Sequence, residues 1–312
     1  MVLLSVGACQ TERPTPTPTA GQYNVGYQRL DMDLGERTLT VAVWYPTDAT
    51  ATEFAYGSGK VTGRVAENAA VKSGAWPLIV FSHGFGGSGI GQIQMTEALA
   101  ARGWIVAAPD HSDPVTTLRI DGQEDDDFNA LRDYLKEHPF NRDDYAYRPL
   151  EVQAVLDYML AAPEFNLAPG QVALAGHSLG GWSVMTIALE DDRVQATVLY
   201  SMGELNWLAG QRYFEADELA RLTTPTLYFY GEDEKALNSR GAYAEFCYEN
   251  SPTPTYLVEV PDGNHFTYND RAIAPRLGGT PVQHELILRT TAAFLERHIL
   301  GSDISIESTQ AK

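Results

Sequence analysis

The sequence predicts an α/β fold: a mostly parallel central sheet with helices on both faces, preceded by an N-terminal antiparallel hairpin. Three observations carry that expectation. From Trp76 onward, short and wholly apolar runs alternate with amphipathic ones, and a strand without polar alternation is covered on both faces. One strand-to-helix junction reads Gly176-His177-Ser178-Leu179-Gly180-Gly181, a turn tight enough to demand small residues on either side of a serine. Ahead of the alternation, residues 23–34 and 38–45 alternate apolar and polar side chains around Gly35-Glu36, the pattern of a two-stranded hairpin.

Taken in order, residues 48–75 are small and polar and read as a surface excursion. Residues 76–81 read as a buried strand, 92–102 as a helix and 104–108 as a strand. Residues 110–149 break the rhythm. They are acid-rich, including Glu124-Asp125-Asp126-Asp127, and too long for a simple connection, so a lid or substrate-recognition excursion stands beside a solvated decoration. Residues 150–161 form a helix with Val152, Val155, Leu156 and Met159 on one face. Strands follow at 171–175, 194–200, 226–230 and 255–260, with the helix after Ser178 reaching Leu189. A last amphipathic helix covers 282–299, and 301–312 read as a frayed, flexible tail. The domain itself therefore spans residues 21–300.

Composition narrows the function. With 312 residues, 44% of them hydrophobic, the chain can bury one large core. A net charge of −19 repels polyphosphate and argues against a nucleic-acid partner. Two cysteines, Cys9 and Cys247, make no disulfide framework. Val6-Gly7-Ala8-Cys9 is similar to a bacterial lipobox, and the Thr-Pro run of residues 14–19 is an extended spacer that cannot pack. Residues 1–20 thus read as a signal remnant, an anchor cysteine and a tether. Only eight residues, none of them basic, precede Cys9, which reads as a truncated start. The expectation is a secreted or extracytoplasmic protein that a lipidated Cys9 would tether to a bacterial membrane.

A serine hydroxyl needs a base, and the base needs a group to orient it. Of the three histidines after Ser178, His284 and His298 fall on the last helix. His265 falls in Gly263-Asn264-His265-Phe266, the loop after the last strand, from which a base can reach the elbow. His177, beside the nucleophile, faces away from the hydroxyl and reads as structural. Two amides are needed for the oxyanion, each worth about 3–4 kcal/mol. Leu179 supplies one, and Phe85 in His83-Gly84-Phe85-Gly86-Gly87 the other. The rings of Phe85 and Trp182 are expected to line the substrate pocket. Gly84, Gly86 and Gly89 also spell a dinucleotide fingerprint with Asp110 about 20 residues on. That reading leaves Ser178 and His265 unexplained, and neither a cofactor nor a metal is expected.

The chain resembles the α/β-hydrolases, most of all the platelet-activating-factor acetylhydrolase and dienelactone-hydrolase-like esterases, over roughly residues 40–300. The matching residues are Phe81-Ser82-His83-Gly84-Phe85-Gly86, the run from Arg102 to His111, the elbow around Ser178, Cys247-Tyr248, and Gly263-Asn264-His265-Phe266. The resemblance implies calcium-independent serine ester hydrolysis without a cofactor, on short-acyl esters of phospholipid type, with cutinase-type polyester hydrolysis as the alternative. A non-catalytic cell-surface binding lipoprotein is the remoter one. The partner would be a small-molecule, lipid or polymer ester. In the acetylhydrolases the triad acid ends the strand after the elbow helix, which is Ser201 here, and a serine cannot hold an imidazolium electrostatically. Most other α/β-hydrolases place the acid after the next strand, where counting from Pro225 selects Glu234, with Asp233 one residue earlier. Glu204, just beyond Ser201, is a third candidate.

Overall fold

The computed structural model describes residues 23–312 except 124–126, 139–140, 203–211, 238–239, 253, 271–273 and 275–276. The signal-like segment with Cys9, and Glu204, lie outside the described residues. The chain opens with β1 (Asn24–Asp33) and β2 (Thr38–Thr47), paired antiparallel as the alternation requires, followed by β3 (Thr52–Tyr56), β4 (Val61–Glu67) and β5 (Trp76–Ser82). Helix α1 (Ile93–Ala101) leads to β6 (Ile105–Pro109). Helices α2 (Phe128–Glu137) and α3 (Tyr147–Ala161) precede β7 (Leu167–His177), α4 (Leu179–Ala188) and β8 (Ala196–Tyr200). The C-terminal part holds α5 (Ala216–Leu219), β9 (Thr226–Gly231), α6 (Glu232–Leu237), α7 (Arg240–Asn250), β10 (Thr255–Val260), α8 (Pro281–Leu300) and β11 (Gln310–Ala311).

The described strands form one sheet in the order β11-β10-β9-β8-β7-β5-β6-β2-β1-β4-β3, parallel from β10 through to β6. The central stretches of the parallel strands are mostly apolar because their two faces feed two different cores. Leu78 and Val80 of β5 enter a core with Val155, Leu156 and Val184, whereas Ile79 and Phe81 enter another with Leu99, Tyr200 and Phe294. Helix α8 starts where the sequence caps it: the Thr280 hydroxyl accepts from the Gln283 amide, the Gln283 side chain accepts from the Thr280 amide, and Pro281 occupies the first turn. Among the described residues no helix is long and apolar enough to cross a membrane.

Three expectations need correction. Residues 48–75 are not merely an excursion, because β3 and β4 form a hairpin that extends the sheet. The alternate residues Tyr56, Val61 and Val65 are buried, and the Trp44 indole donates to the Tyr56 hydroxyl at 2.9 Å. The helix expected from residue 150 begins earlier, at Tyr147, and the excursion before it holds α2, capped by Asp127 accepting from the Ala130 amide at 2.8 Å. The tail is not frayed at its end, since β11 pairs with β10 and Thr255 exchanges backbone hydrogen bonds with Lys312 at 2.9 and 3.0 Å.

The strand order positions the site. From β5 the chain crosses to β6 on one side and then to β7 on the other, so the loops leaving β5 and β7 diverge from adjacent points. Ser82 pairs with Gly176 at the carboxyl edge, the place where open α/β sheets present their chemistry.

Candidate active site

Ser178 follows β7 and caps α4 with φ 54° and ψ −121°. A non-glycine residue there is strained by about 1–3 kcal/mol, and packing on both sides holds it. A β-carbon on Gly176 would lie 2.3 Å from the Gly180 carbonyl oxygen, and one on Gly180 would lie 2.0 Å from the Ser82 carbonyl oxygen. The turn therefore closes only with glycine at both positions. The Ser178 amide donates to the Tyr200 carbonyl at 3.0 Å, tying the elbow to the end of β8. The serine is 6% exposed, and its amide and that of Leu179 open the first turn of α4.

His265 lies in the loop after β10. Its Nδ1–H faces two acceptors, the Ser201 hydroxyl at 2.6 Å and Oε1 of Glu234 at 3.2 Å. The Ser201 hydroxyl in turn donates a short hydrogen bond to the same Glu234 oxygen. The other carboxylate oxygen accepts from the Gly231 amide at 2.8 Å. Burial works to raise the Glu234 pKa, but His265, the Ser201 hydroxyl and the Gly231 amide outweigh it and hold the carboxyl at about 2. Glu234 is thus ionised and 2% exposed. Asp233 is one residue earlier on α6 with its side chain exposed; only its backbone amide meets the histidine loop, donating to Gly263 at 2.9 Å. The loops of acid and base pass very close, since a β-carbon on Gly231 would lie 2.3 Å from the Gly263 carbonyl carbon.

Ser201 sits where the resemblance places an acid, at φ 47° immediately after β8. A serine there lacks the charge to balance an imidazolium, but its hydroxyl accepts from the histidine and donates to the glutamate, so it links them. Sequence reasoning missed this link, because three separate loops meet in it. His177 also has a definite role, since its Nε2–H donates to the His265 carbonyl at 2.8 Å and holds the base's backbone.

The glycine loop after β5 runs beside the elbow, where a β-carbon on Gly84 would lie 3.2 Å from Cβ of Ser178. The Phe85 ring is buried, nearly parallel to Tyr134 of α2 at 5.7 Å and edge-on to Tyr145 at 5.5 Å. The excursion after β6 therefore packs directly on this loop. Trp182, one turn into α4, is buried with its ring 6.5 Å from that of Tyr213, and borders a small cleft with Thr186 and Phe214. Asp110 does not face a ribose site. It accepts from the Gly89 and Ile120 amides at 2.8 and 2.6 Å and stitches the glycine loop to the excursion. Among the described residues no group of three or more His, Cys, Asp or Glu side chains is placed to hold a metal ion.

A parallel sheet with a serine elbow after one strand and a histidine loop after the last is the architecture of the α/β-hydrolases, and this chain has that fold. Residues 49–136, which include the glycine loop, match the family of platelet-activating factor acetylhydrolase, isoform II. Among solved structures, a ferulic acid esterase from Streptomyces cinnamoneus is similar with a TM-score of 0.71 at 22% identity, covering 92% of this chain and 94% of that one. A dienelactone hydrolase from Anabaena variabilis is similar with a TM-score of 0.57 at 18% identity, covering 88% and 99%.

Proposed function

We propose that this protein is a serine carboxylic-ester hydrolase in which Ser178 is the nucleophile, His265 the general base and Glu234 the acid. The observation that carries the reading is the ionised, buried Glu234 carboxylate on Nδ1 of a histidine whose loop borders a strained serine elbow. His265 takes the Ser178 proton as the hydroxyl attacks the ester carbonyl, and Glu234 stabilises the imidazolium that forms. The tetrahedral oxyanion rests on the amides of Leu179 and Phe85, each worth about 3–4 kcal/mol in the transition state. Collapse expels the alcohol with the proton from His265. Water, activated by the same base, then cleaves the acyl-serine and frees the acid.

The substrate class we propose is a short-acyl ester of phospholipid type. The match of residues 49–136 to the acetylhydrolase family supports it, as does the packing of Phe85 among Tyr134 and Tyr145, which encloses the loop beside the serine. We further propose that Cys9 carries a lipid anchor and that residues 10–20 are its tether, on the strength of the lipobox-like residues before it.

Hydrolysis of p-nitrophenyl esters from acetyl to palmitoyl tests the function, with Ser178→Ala, Glu234→Gln and Asp233→Asn assayed alongside. The reading expects short esters to be cleaved, Ser178→Ala and Glu234→Gln to lose about 10⁴- to 10⁶-fold, and Asp233→Asn to stay within about twofold of wild type. Preferential release of soluble products from an aromatic polyester film would move the substrate to the polymer class. No turnover on any of them would leave a binding protein.

A further inference from the structure

The two ends of the excursion after β6 meet in a buried ion pair. Asp113 leaves the excursion's start and Arg148 lies in the first turn of α3 at its end. Both side chains are 0% exposed. The guanidinium grips the carboxylate through two bonds, Nε to Oδ1 at 2.9 Å and Nη2 to Oδ2 at 2.9 Å. A buried ion pair is weak evidence for stability, because desolvation offsets much of the attraction, so its other contacts indicate what it does.

Those contacts converge on the backbone of residues 83–86, on either side of Phe85. Arg148 donates to the His83 carbonyl at 2.9 Å and to the Gly84 carbonyl at 3.2 Å. The His111 amide donates to Nε2 of His83, which fixes the tautomer and leaves Nδ1–H to donate to the same Gly84 carbonyl at 2.6 Å. Asp113 accepts from the Gly86 amide at 2.7 Å. The Gly84 carbonyl and the Phe85 N–H belong to one rigid plane, and holding the oxygen sets the direction of the hydrogen. The next plane is held through the Gly86 amide. Phe85 is thus clamped on both sides by groups that belong to neither the nucleophile nor the base.

We propose that Arg148 and Asp113 are positioning residues that aim the Phe85 amide at the developing oxyanion, making the base of the excursion part of the catalytic apparatus. The proposal rests on the serine hydrolase reading. The cationic guanidinium on the Gly84 oxygen also draws electron density from that amide, which strengthens the Phe85 N–H as a donor. A preorganised donor acts in the transition state and little in the ground state, so its misalignment lowers kcat and spares KM.

The test is steady-state kinetics of Arg148→Lys and Asp113→Asn on a short p-nitrophenyl ester, together with inhibition by a trifluoromethyl ketone that forms a tetrahedral adduct. Lysine keeps the charge but cannot hold the carboxylate and both carbonyls at once. The expected result for Arg148→Lys is a kcat loss of about 10²-fold with KM within about threefold, and an equal weakening of the ketone. Asp113→Asn loses about 10-fold in the same two quantities. A folded variant that keeps kcat and ketone affinity within threefold, or that changes KM alone, overturns the proposal. If Ser178→Ala retains wild-type activity, the serine reading itself has failed and not the positioning role. Should neither variant fold, the order parameter of the Phe85 amide in the wild-type protein decides: about 0.85 supports a preorganised donor, and below about 0.6 refutes it.

Discussion

Removing the Ser201 hydroxyl is the perturbation whose outcome the site geometry specifies most fully. In wild type, His265 Nδ1–H has a close acceptor in Ser201 at 2.6 Å and a longer one in Glu234 at 3.2 Å. Ser201→Ala deletes the close one and strips Glu234 of a donor, leaving the histidine on a contact at the outer edge of hydrogen-bond range. A bond to a charged group is worth about 1.5–3 kcal/mol, so kcat on p-nitrophenyl butyrate should fall roughly 10- to 150-fold with KM little changed. The loss is smaller than that from Glu234→Gln because the carboxylate still faces the ring. The two substitutions must also be coupled. Ser201 touches both His265 and Glu234, so the loss in the double variant should be clearly smaller than the product of the two single losses. Ser201→Ala with activity within twofold of wild type, or a double variant whose losses simply multiply, would refute the idea that the hydroxyl links base and acid.

Other consequences concern folding and pH. Gly180→Ala places a methyl 2.0 Å from the Ser82 carbonyl, so the elbow should open at a cost of about 3 kcal/mol or more, seen as a lower unfolding midpoint with ester hydrolysis below about 1% of wild type. Asp270 accepts from the Ile93 amide at 2.8 Å, and burial pushes its carboxyl up to about 7. The folded state then binds more protons than the unfolded chain between about pH 4 and 7, so this group lowers stability as pH rises through that window, by up to about 4 kcal/mol. Urea unfolding of wild type minus Asp270→Asn across pH 4–8 should show that slope, and a pH-independent difference would exclude it. Deleting residues 309–312 removes the backbone bonds of β11 to Leu257 and Thr255, which should cost about 1–3 kcal/mol in urea unfolding without changing kcat. An unchanged midpoint would mean the tail contributes nothing.

The sequence carried the parallel core and the elbow clearly, and for the same reason: burial and steric exclusion leave few residue types. β5 is buried along its whole length, and glycine alone fits at 176 and 180. The β3–β4 hairpin was harder to see because few residues of either short strand are buried, and most of the others are polar or small. Glu234 and Asp233 differ in which way they face within the first turn of α6, residue 234 inward and residue 233 to solvent, a phase that counting from Pro225 does not address. What no local pattern could reveal was contact between distant loops. Ser201 joins residues 33 and 64 positions away. Arg148 is 35 positions from Asp113 and 64 from Gly84, inside a stretch that reads as a lid, a substrate-recognition excursion or a solvated decoration and names no partner for either side chain.

The measurement that bears most directly on the central claim is mass spectrometry of the protein quenched during turnover of p-nitrophenyl acetate. An acetyl group should appear on the peptide containing Ser178, should persist longer in His265→Ala, and should be absent from Ser178→Ala. Turnover without an acyl adduct, or an adduct on any other residue, would contradict nucleophilic catalysis at the elbow.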